Sequence, residues 1–121
     1  FESEVLFPSG SATLTPEGTS AMEQLANAIR DLEARIPKEI DWALQVNGHT
    51  DSRPISSAQF PSNWELSTAR AASVVKYMIT RGIPPDRLVA AGYGEFQPIE
   101  AGATDEALQK NRRIELKLTN R

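Results

Sequence analysis

Short segments with the two-residue periodicity of strands alternate along this chain with long segments that have the periodicity of helices. Strands are predicted at 4–7, 41–49, 88–93 and 114–119, and long helices at 16–35 and 63–81. Strands that alternate with helices predict two βαβ-type units on one sheet. We therefore expect an α/β sandwich of order βαβαββ, with both helices packed on a mixed sheet. In it, the last strand pairs antiparallel with the third.

Both long helices carry start signals and apolar stripes. Thr15 is placed to cap the first helix, with Pro16 at its first position. The second begins with a possible capping box from Ser62 to Glu65, or with Asn63 as the cap. The apolar stripes are predicted through Met22, Leu25, Ile29, Leu32 and Ile36, and through Ala71, Val74, Val75 and Met78. Residues 104–110 are expected to add one or two further helical turns.

The segment 41–49 alternates between apolar and polar side chains and predicts a strand with one buried face. Thr50 and Asp51 follow directly at its carboxyl end. Residues 52–62 then form a loop that is long for so small a domain, and long loops are often functional.

Composition limits the function. The 121 residues predict a single domain over 1–121, and the net charge of −3 argues against nucleic-acid binding. With no cysteine and one histidine, neither a metal site nor another cofactor is expected. Because the first residue is Phe and not Met, we expect this sequence to be a fragment of a longer chain or a processed product.

Asp51 and Arg70 are the most informative polar residues. In βαβ units ligands bind where strands end and helices begin, and both residues lie there. Arg70 sits at the edge of the apolar stripe, where a guanidinium requires a partner. A carboxylate and a guanidinium at one cleft suit a zwitterion, because the first binds an ammonium and the second a carboxylate. An Asp51–Arg70 ion pair that only joins strand to helix is the alternative.

Ordered motifs over nearly the whole chain resemble the OmpA-like peptidoglycan-binding domain. They are Phe7, Ser-Gly-Ser-Ala at 9–12, Gly-His-Thr-Asp at 48–51, Leu-Ser at 66–67, Arg-Ala at 70–71, Gly-Tyr-Gly-Glu at 92–95 and Asn-Arg-Arg-Ile-Glu at 111–115. The sequence Asp-Ser-Arg-Pro-Ile at 51–55 and the long loop after it are similar to the form found in the flagellar stator protein MotB.

The resemblance implies the fold of the OmpA C-terminal domain and non-covalent binding of peptidoglycan. The ligand would be the meso-diaminopimelate of the stem peptide, held by Asp51 and Arg70. The other implied lining residues are Thr50, Asn63, Phe7, Ser9, Leu66 and Arg112. Pro8 departs from the family, in which many members carry an acidic residue after the Phe.

The same resemblance implies that the domain anchors a membrane protein or an ion-driven motor stator to the cell wall. The domain is then expected in the periplasm, with the parent protein held in the inner membrane by an anchor upstream. A homodimer of the full-length protein is also implied. Catalysis is not expected.

Two other functions remain as alternatives. A cell-wall hydrolase would need His49 paired with Asp51 and a nucleophile beside them, and we expect His49 instead to be packed or hydrogen-bonded. A protein–protein interaction module would need an exposed aromatic patch, for which Phe60 and Trp64 are candidates. The alternation of the last strand directs Arg112 toward the protein body, to support the site or pair with a buried acid, and directs Arg113 into solvent.

Overall fold

A computed structural model describes residues 1–120 of the chain. The helices are α1 (Ser3–Leu6), α2 (Pro16–Glu33), α3 (Asn63–Thr80) and α4 (Asp105–Asn111), and the strands are β1 (Trp42–His49), β2 (Leu88–Gly92) and β3 (Arg113–Asn120). One 3₁₀ turn, Pro85–Arg87, precedes β2. Within the described residues no helix has the combination of length and apolarity that a membrane span requires.

The sheet is mixed, with the strand order β2–β1–β3. Strand β1 pairs in parallel with β2, with Leu44 opposite Leu88. It pairs antiparallel with β3 on its other edge, with His49 opposite Arg113. The α/β class and the mixed sheet are therefore confirmed. The predicted partner of the last strand was wrong, because the crossover through α3 places β2 on one edge of β1 and leaves the other edge open to β3.

The predicted first strand at 4–7 is also wrong. Residues Ser3–Leu6 form one helical turn, and the residue before it, Glu2, forms an antiparallel bridge with Arg113. Ser3 and Leu6 are buried while Val5 is exposed, which is the spacing of a helix. A run of four residues is too short for its periodicity to distinguish a strand from a helical turn.

The two long helices begin where their caps predict. Thr15 Oγ1 accepts a hydrogen bond from the amide of Gly18 at 2.9 Å. Ser62 Oγ accepts one from the amide of Trp64 at 3.2 Å and bonds the carboxylate of Glu65 at 2.8 Å. These side chains satisfy backbone donors that a helix start otherwise leaves free.

The core lies between the sheet and the two long helices. Helix α3 rests directly on β1 and β2, and α2 packs beside α3. The apolar cluster joins these elements and includes Met22, Ala26, Ile29, Leu44, Val46, Ala71, Val74 and Met78. The stripe predicted for α2 is wrong at Leu32, which is 45% exposed. Ala26, which the predicted stripe did not include, is fully buried.

Both faces of β1 are buried, which corrects the prediction of one buried face. The face that bears Trp42, Leu44 and Val46 joins the apolar core. The other face carries Asn47 and His49, and His49 stacks on Tyr93 with ring centroids 4.9 Å apart. Polar residues of a central strand can be buried in this way because neighbouring side chains pair with them.

Candidate functional site

A cleft of about 440 Å³ opens where β1 ends, α3 begins and the chain leaves α1. The eight residues predicted to bind a ligand all line it, namely Phe7, Ser9, Thr50, Asp51, Asn63, Leu66, Arg70 and Arg112. The fold thus brings together residues that are up to 105 positions apart in the chain.

Asp51 is nearly buried and is held by two arginines. Its Oδ1 accepts from the backbone amide of Arg53 at 2.9 Å. Its Oδ2 accepts from Arg53 Nη2 at 2.8 Å and from Arg112 Nη1 at 2.7 Å. Burial opposes ionisation, but these hydrogen bonds outweigh it and hold the pKa of the Asp51 carboxyl below its usual value. Asp51 is therefore a carboxylate at neutral pH.

Arg70 lies in the same cleft but is not paired with Asp51. Its Nε donates to the carbonyl of Ser11 at 2.8 Å and its Nη2 to that of Pro8 at 3.2 Å. Its guanidinium carbon lies 5.2 Å from the centroid of the Phe7 ring. Within residues 1–120 its Nη1 has no hydrogen-bond partner and is not sealed from solvent. The structural Asp51–Arg70 ion pair considered above is therefore absent from the described residues.

The cleft as a whole carries one net positive charge. Three guanidinium groups line it, those of Arg53, Arg70 and Arg112, against the two carboxylates of Glu4 and Asp51. Arg112 bonds both Glu4 and Asp51, so the prediction that it pairs with a buried acid is confirmed. A ligand with more carboxylates than ammonium groups would be electrostatically complementary to such a cleft.

The remaining polar residues of the cleft support its shape. Asn63, the first residue of α3, donates from Nδ2 to the carbonyl of Arg53 at 3.0 Å and to Glu95 Oε1 at 3.3 Å. Thr50 Oγ1 donates to the carbonyl of Asp51 at 2.9 Å. These bonds fix the loop after β1 against the start of α3, and so they position Asp51.

Sequence reasoning missed Arg53 and Glu4 as lining residues. A signal for Arg53 was present, since an Asp side chain commonly accepts a hydrogen bond from the amide two residues later. Glu4 could not be found, because it reaches the cleft only through the helical turn of α1, which was predicted as a strand.

The predicted exposure of Arg113 is wrong, and Phe60 does not serve as the exposed aromatic residue that the alternative of a protein–protein interaction module would need. Arg113 is buried, and it donates to the carbonyl of Gln97 at 2.8 Å and to Glu115 Oε2 at 2.7 Å. Strand alternation does direct it away from Arg112, but that face of the sheet is covered by the 97–99 segment. Phe60 is buried as well, whereas Trp64 is half exposed.

His49 is packed, as predicted, and takes no part in the cleft. Its Nε2 lies 3.2 Å from Glu115 Oε1, while Asp51 bonds arginines, so no His–Asp pair forms. Burial and the nearby Arg113 lower the pKa of His49, although Glu115 acts in the opposite direction. The imidazole is therefore neutral at neutral pH.

This lowered pKa predicts a pH dependence of stability. As pH falls below about 6.5, the unfolded chain protonates its histidine before the folded chain does. The free energy of unfolding should therefore fall, by at most about 1.4 kcal/mol per pH unit for one proton. Urea unfolding at about pH 7 and about pH 5.5 should show this loss in the wild type and a smaller loss in His49→Gln. Equal losses in the two proteins would contradict the assignment.

The fold is a small domain with a mixed sheet, in which a cleft at the end of the central strand is lined by both a carboxylate and guanidinium groups. The sequence model of the OmpA family matches residues 6–112, so the chain belongs to the OmpA family.

Three comparisons with known proteins support this. The uncharacterized protein YtxE of Bacillus subtilis is 39% identical over 113 residues, which cover 93% of this chain and 43% of YtxE. The periplasmic domain of Helicobacter pylori MotB superposes with a TM-score of 0.84 at 29% identity, covering 99% of this chain and 79% of that chain. The cell wall anchor of the T6SS from Pseudomonas aeruginosa superposes with a TM-score of 0.83 at 31% identity, covering 99% and 78%.

The predicted resemblance to the OmpA-like domain, in the form found in MotB, is confirmed by these likenesses. The chain spans less than half the length of the curated relatives it matches.

Proposed function

We propose that this domain binds peptidoglycan without catalysis, through the meso-diaminopimelate of the stem peptide. The observation that carries the proposal is that one cleft holds the Asp51 carboxylate and, not paired with it, an Arg70 guanidinium that keeps one nitrogen free. Membership of the OmpA family and the structural likeness to a cell wall anchor support a wall-binding role.

The side-chain end of meso-diaminopimelate carries one ammonium and one carboxylate. The ammonium would bind at Asp51, whose Oδ1 accepts one hydrogen bond within residues 1–120 and has a lone pair to spare. The carboxylate is placed at Arg70 Nη1, with charge assistance from the guanidinium. The net positive charge of the lining also favours the further carboxylates of a stem peptide.

One bound stem peptide offers few atoms, so the affinity of a single site should be modest. Attachment to the wall would then depend on many copies engaging one polymer. We propose that the domain lies in the periplasm and anchors a protein of the inner membrane, such as an ion-driven motor stator. A homodimer of the full-length protein would double the number of contacts with the polymer.

Co-sedimentation with purified insoluble peptidoglycan tests the ligand. Diaminopimelate-type peptidoglycan should bring down the domain, whereas lysine-type peptidoglycan should not, because lysine lacks the terminal carboxylate that Arg70 would bind. Free meso-diaminopimelate should compete. Equal binding to both polymers would contradict the assignment of the ligand, and release of soluble fragments would contradict a role without catalysis.

A further inference from the structure

Trp64 and Phe96 form an exposed aromatic pair that the proposed cleft does not use. Their ring centroids lie 5.1 Å apart, with an angle of 26° between the ring planes. Trp64 is 50% exposed and Phe96 is 58% exposed. Single exposed apolar residues are common on protein surfaces, but a stacked pair of half-exposed rings forms a contiguous apolar surface. We call these two residues the aromatic platform.

The aromatic platform is held in place and adjoins the cleft. Gly94 has a φ of 61°, and a Cβ added to it would lie 3.5 Å from the Trp64 ring, so this ring rests on the turn before Phe96. Asn63 lines the cleft and precedes Trp64, and its side chain donates to Glu95, the residue before Phe96, at 3.3 Å. Trp64 therefore follows a lining residue of the cleft directly, and Phe96 is joined to the same lining residue through Glu95.

The size of the aromatic platform indicates its occupant. Two half-exposed rings present an area on the order of 200 Å². A stable protein interface needs roughly 800 Å² on each partner, so the aromatic platform alone is too small for one. The C–H face of one pyranose ring has a suitable size and packs well on aromatic rings. Glu65 follows Trp64 in the chain and Glu95 precedes Phe96. Their carboxylates can accept hydrogen bonds from sugar hydroxyls.

We propose that the aromatic platform binds a sugar ring of the glycan strand to which the bound stem peptide is attached. This inference rests on the proposed function. Diaminopimelate is the third residue of the stem, so two residues separate it from the sugar. At roughly 3.5 Å per extended residue, these two residues span about 7 Å, so the sugar attached to a bound stem peptide would lie close to the cleft. The cleft would recognise the peptide and the aromatic platform the sugar.

Binding of two ligands to the intact domain tests the inference. The first is the tripeptide that ends in meso-diaminopimelate, and the second is the same tripeptide attached to its disaccharide. By titration calorimetry the wild type should bind the disaccharide ligand about three- to tenfold more tightly than the tripeptide, the range typical of one aromatic stacking contact. Trp64→Ala and Phe96→Ala should remove this difference and leave tripeptide binding unchanged. Trp64→Tyr should retain most of it.

Leu118→Ala is the matched control, because Leu118 is comparably exposed but lies on β3. It should keep the full difference between the two ligands. Trp64 fluorescence adds a second measurement, since the other tryptophan, Trp42, is buried. The disaccharide ligand should shift the emission of the wild type, and the tripeptide should not.

The outcomes separate this inference from the proposed function. If the wild type binds both ligands equally, or if Trp64→Ala keeps the difference, the glycan contact is wrong while peptide binding stands. If neither ligand binds, the proposed function is wrong. If the glycan has no effect and Trp64→Ala dissociates a dimer in sedimentation equilibrium, the aromatic platform contacts a second copy of this chain and the inference is overturned.

Discussion

Replacing Arg70 by Ala is expected to abolish co-sedimentation with diaminopimelate-type peptidoglycan. The substitution removes the only guanidinium nitrogen that we assign to the ligand carboxylate, Nη1, and leaves that carboxylate unpaired at the position of a buried side chain of the cleft. Loss of one partner of a desolvated charge pair typically costs about 2–5 kcal/mol of binding free energy. Because a single site should bind only modestly, such a loss takes the affinity below detection.

Two further variants make this prediction specific. Arg70→Lys keeps the charge but lacks the planar fork of donors, so it should bind much more weakly than the wild type. Arg81→Ala removes an arginine that follows the same helix, lies outside the cleft and pairs with Glu23. It should bind normally. Circular dichroism should show that Arg70→Ala remains folded, and retained binding by folded Arg70→Ala would contradict the site assignment.

Replacing Gly48 by Ala should have the largest effect on stability. A Cβ at Gly48 would lie 2.2 Å from the carbonyl oxygen of Ser67, so α3 could not remain where it rests on β1. Overpacking against backbone cannot be relieved by side-chain rotation, and we expect a loss of about 3 kcal/mol or more in the free energy of unfolding. Urea unfolding measures this loss directly.

Gly102→Ala provides the comparison for Gly48→Ala. Gly102 has a φ of 97° but nothing within 4 Å of an added Cβ, so its substitution strains the backbone without a clash. The expected cost is about 1–2 kcal/mol, as for other residues forced into the left-handed region. If Gly48→Ala were as stable as Gly102→Ala or more so, the close approach of α3 to β1 would be refuted.

The same close approach explains how the cleft is built. Asp51 follows β1 by two residues, and Asn63, Leu66 and Arg70 lie on one face of α3. The distance between strand and helix therefore sets the width of the cleft. Gly48 makes that distance small, which brings Arg70 and Asp51 into one site without joining them in an ion pair.

Much of the candidate site could be predicted from the sequence, because its residues follow local signals. Asp51 follows, by two residues, a strand that the alternation of its side chains predicts, and Arg70 interrupts the apolar stripe of a helix with a recognisable cap. The resemblance to the OmpA-like domain then indicated Phe7, Ser9 and Arg112 as further lining residues. Their binding roles remain proposals, but the cleft that they share is a feature of the structure.

Local periodicity and capping, read from the sequence alone, determined the class of fold, the two long helices, the three strands and the two charged residues on which the proposed function depends. Only the tertiary structure decided which partners these elements meet. In it, residues 3–6 form a helical turn and β3 pairs with β1. Arg113 is buried under the 97–99 segment, and Asp51 pairs with Arg53 and Arg112 instead of Arg70. The reason is physical, since strand pairing and charge pairing join residues far apart in the chain, and a local pattern carries no information about the distance between them.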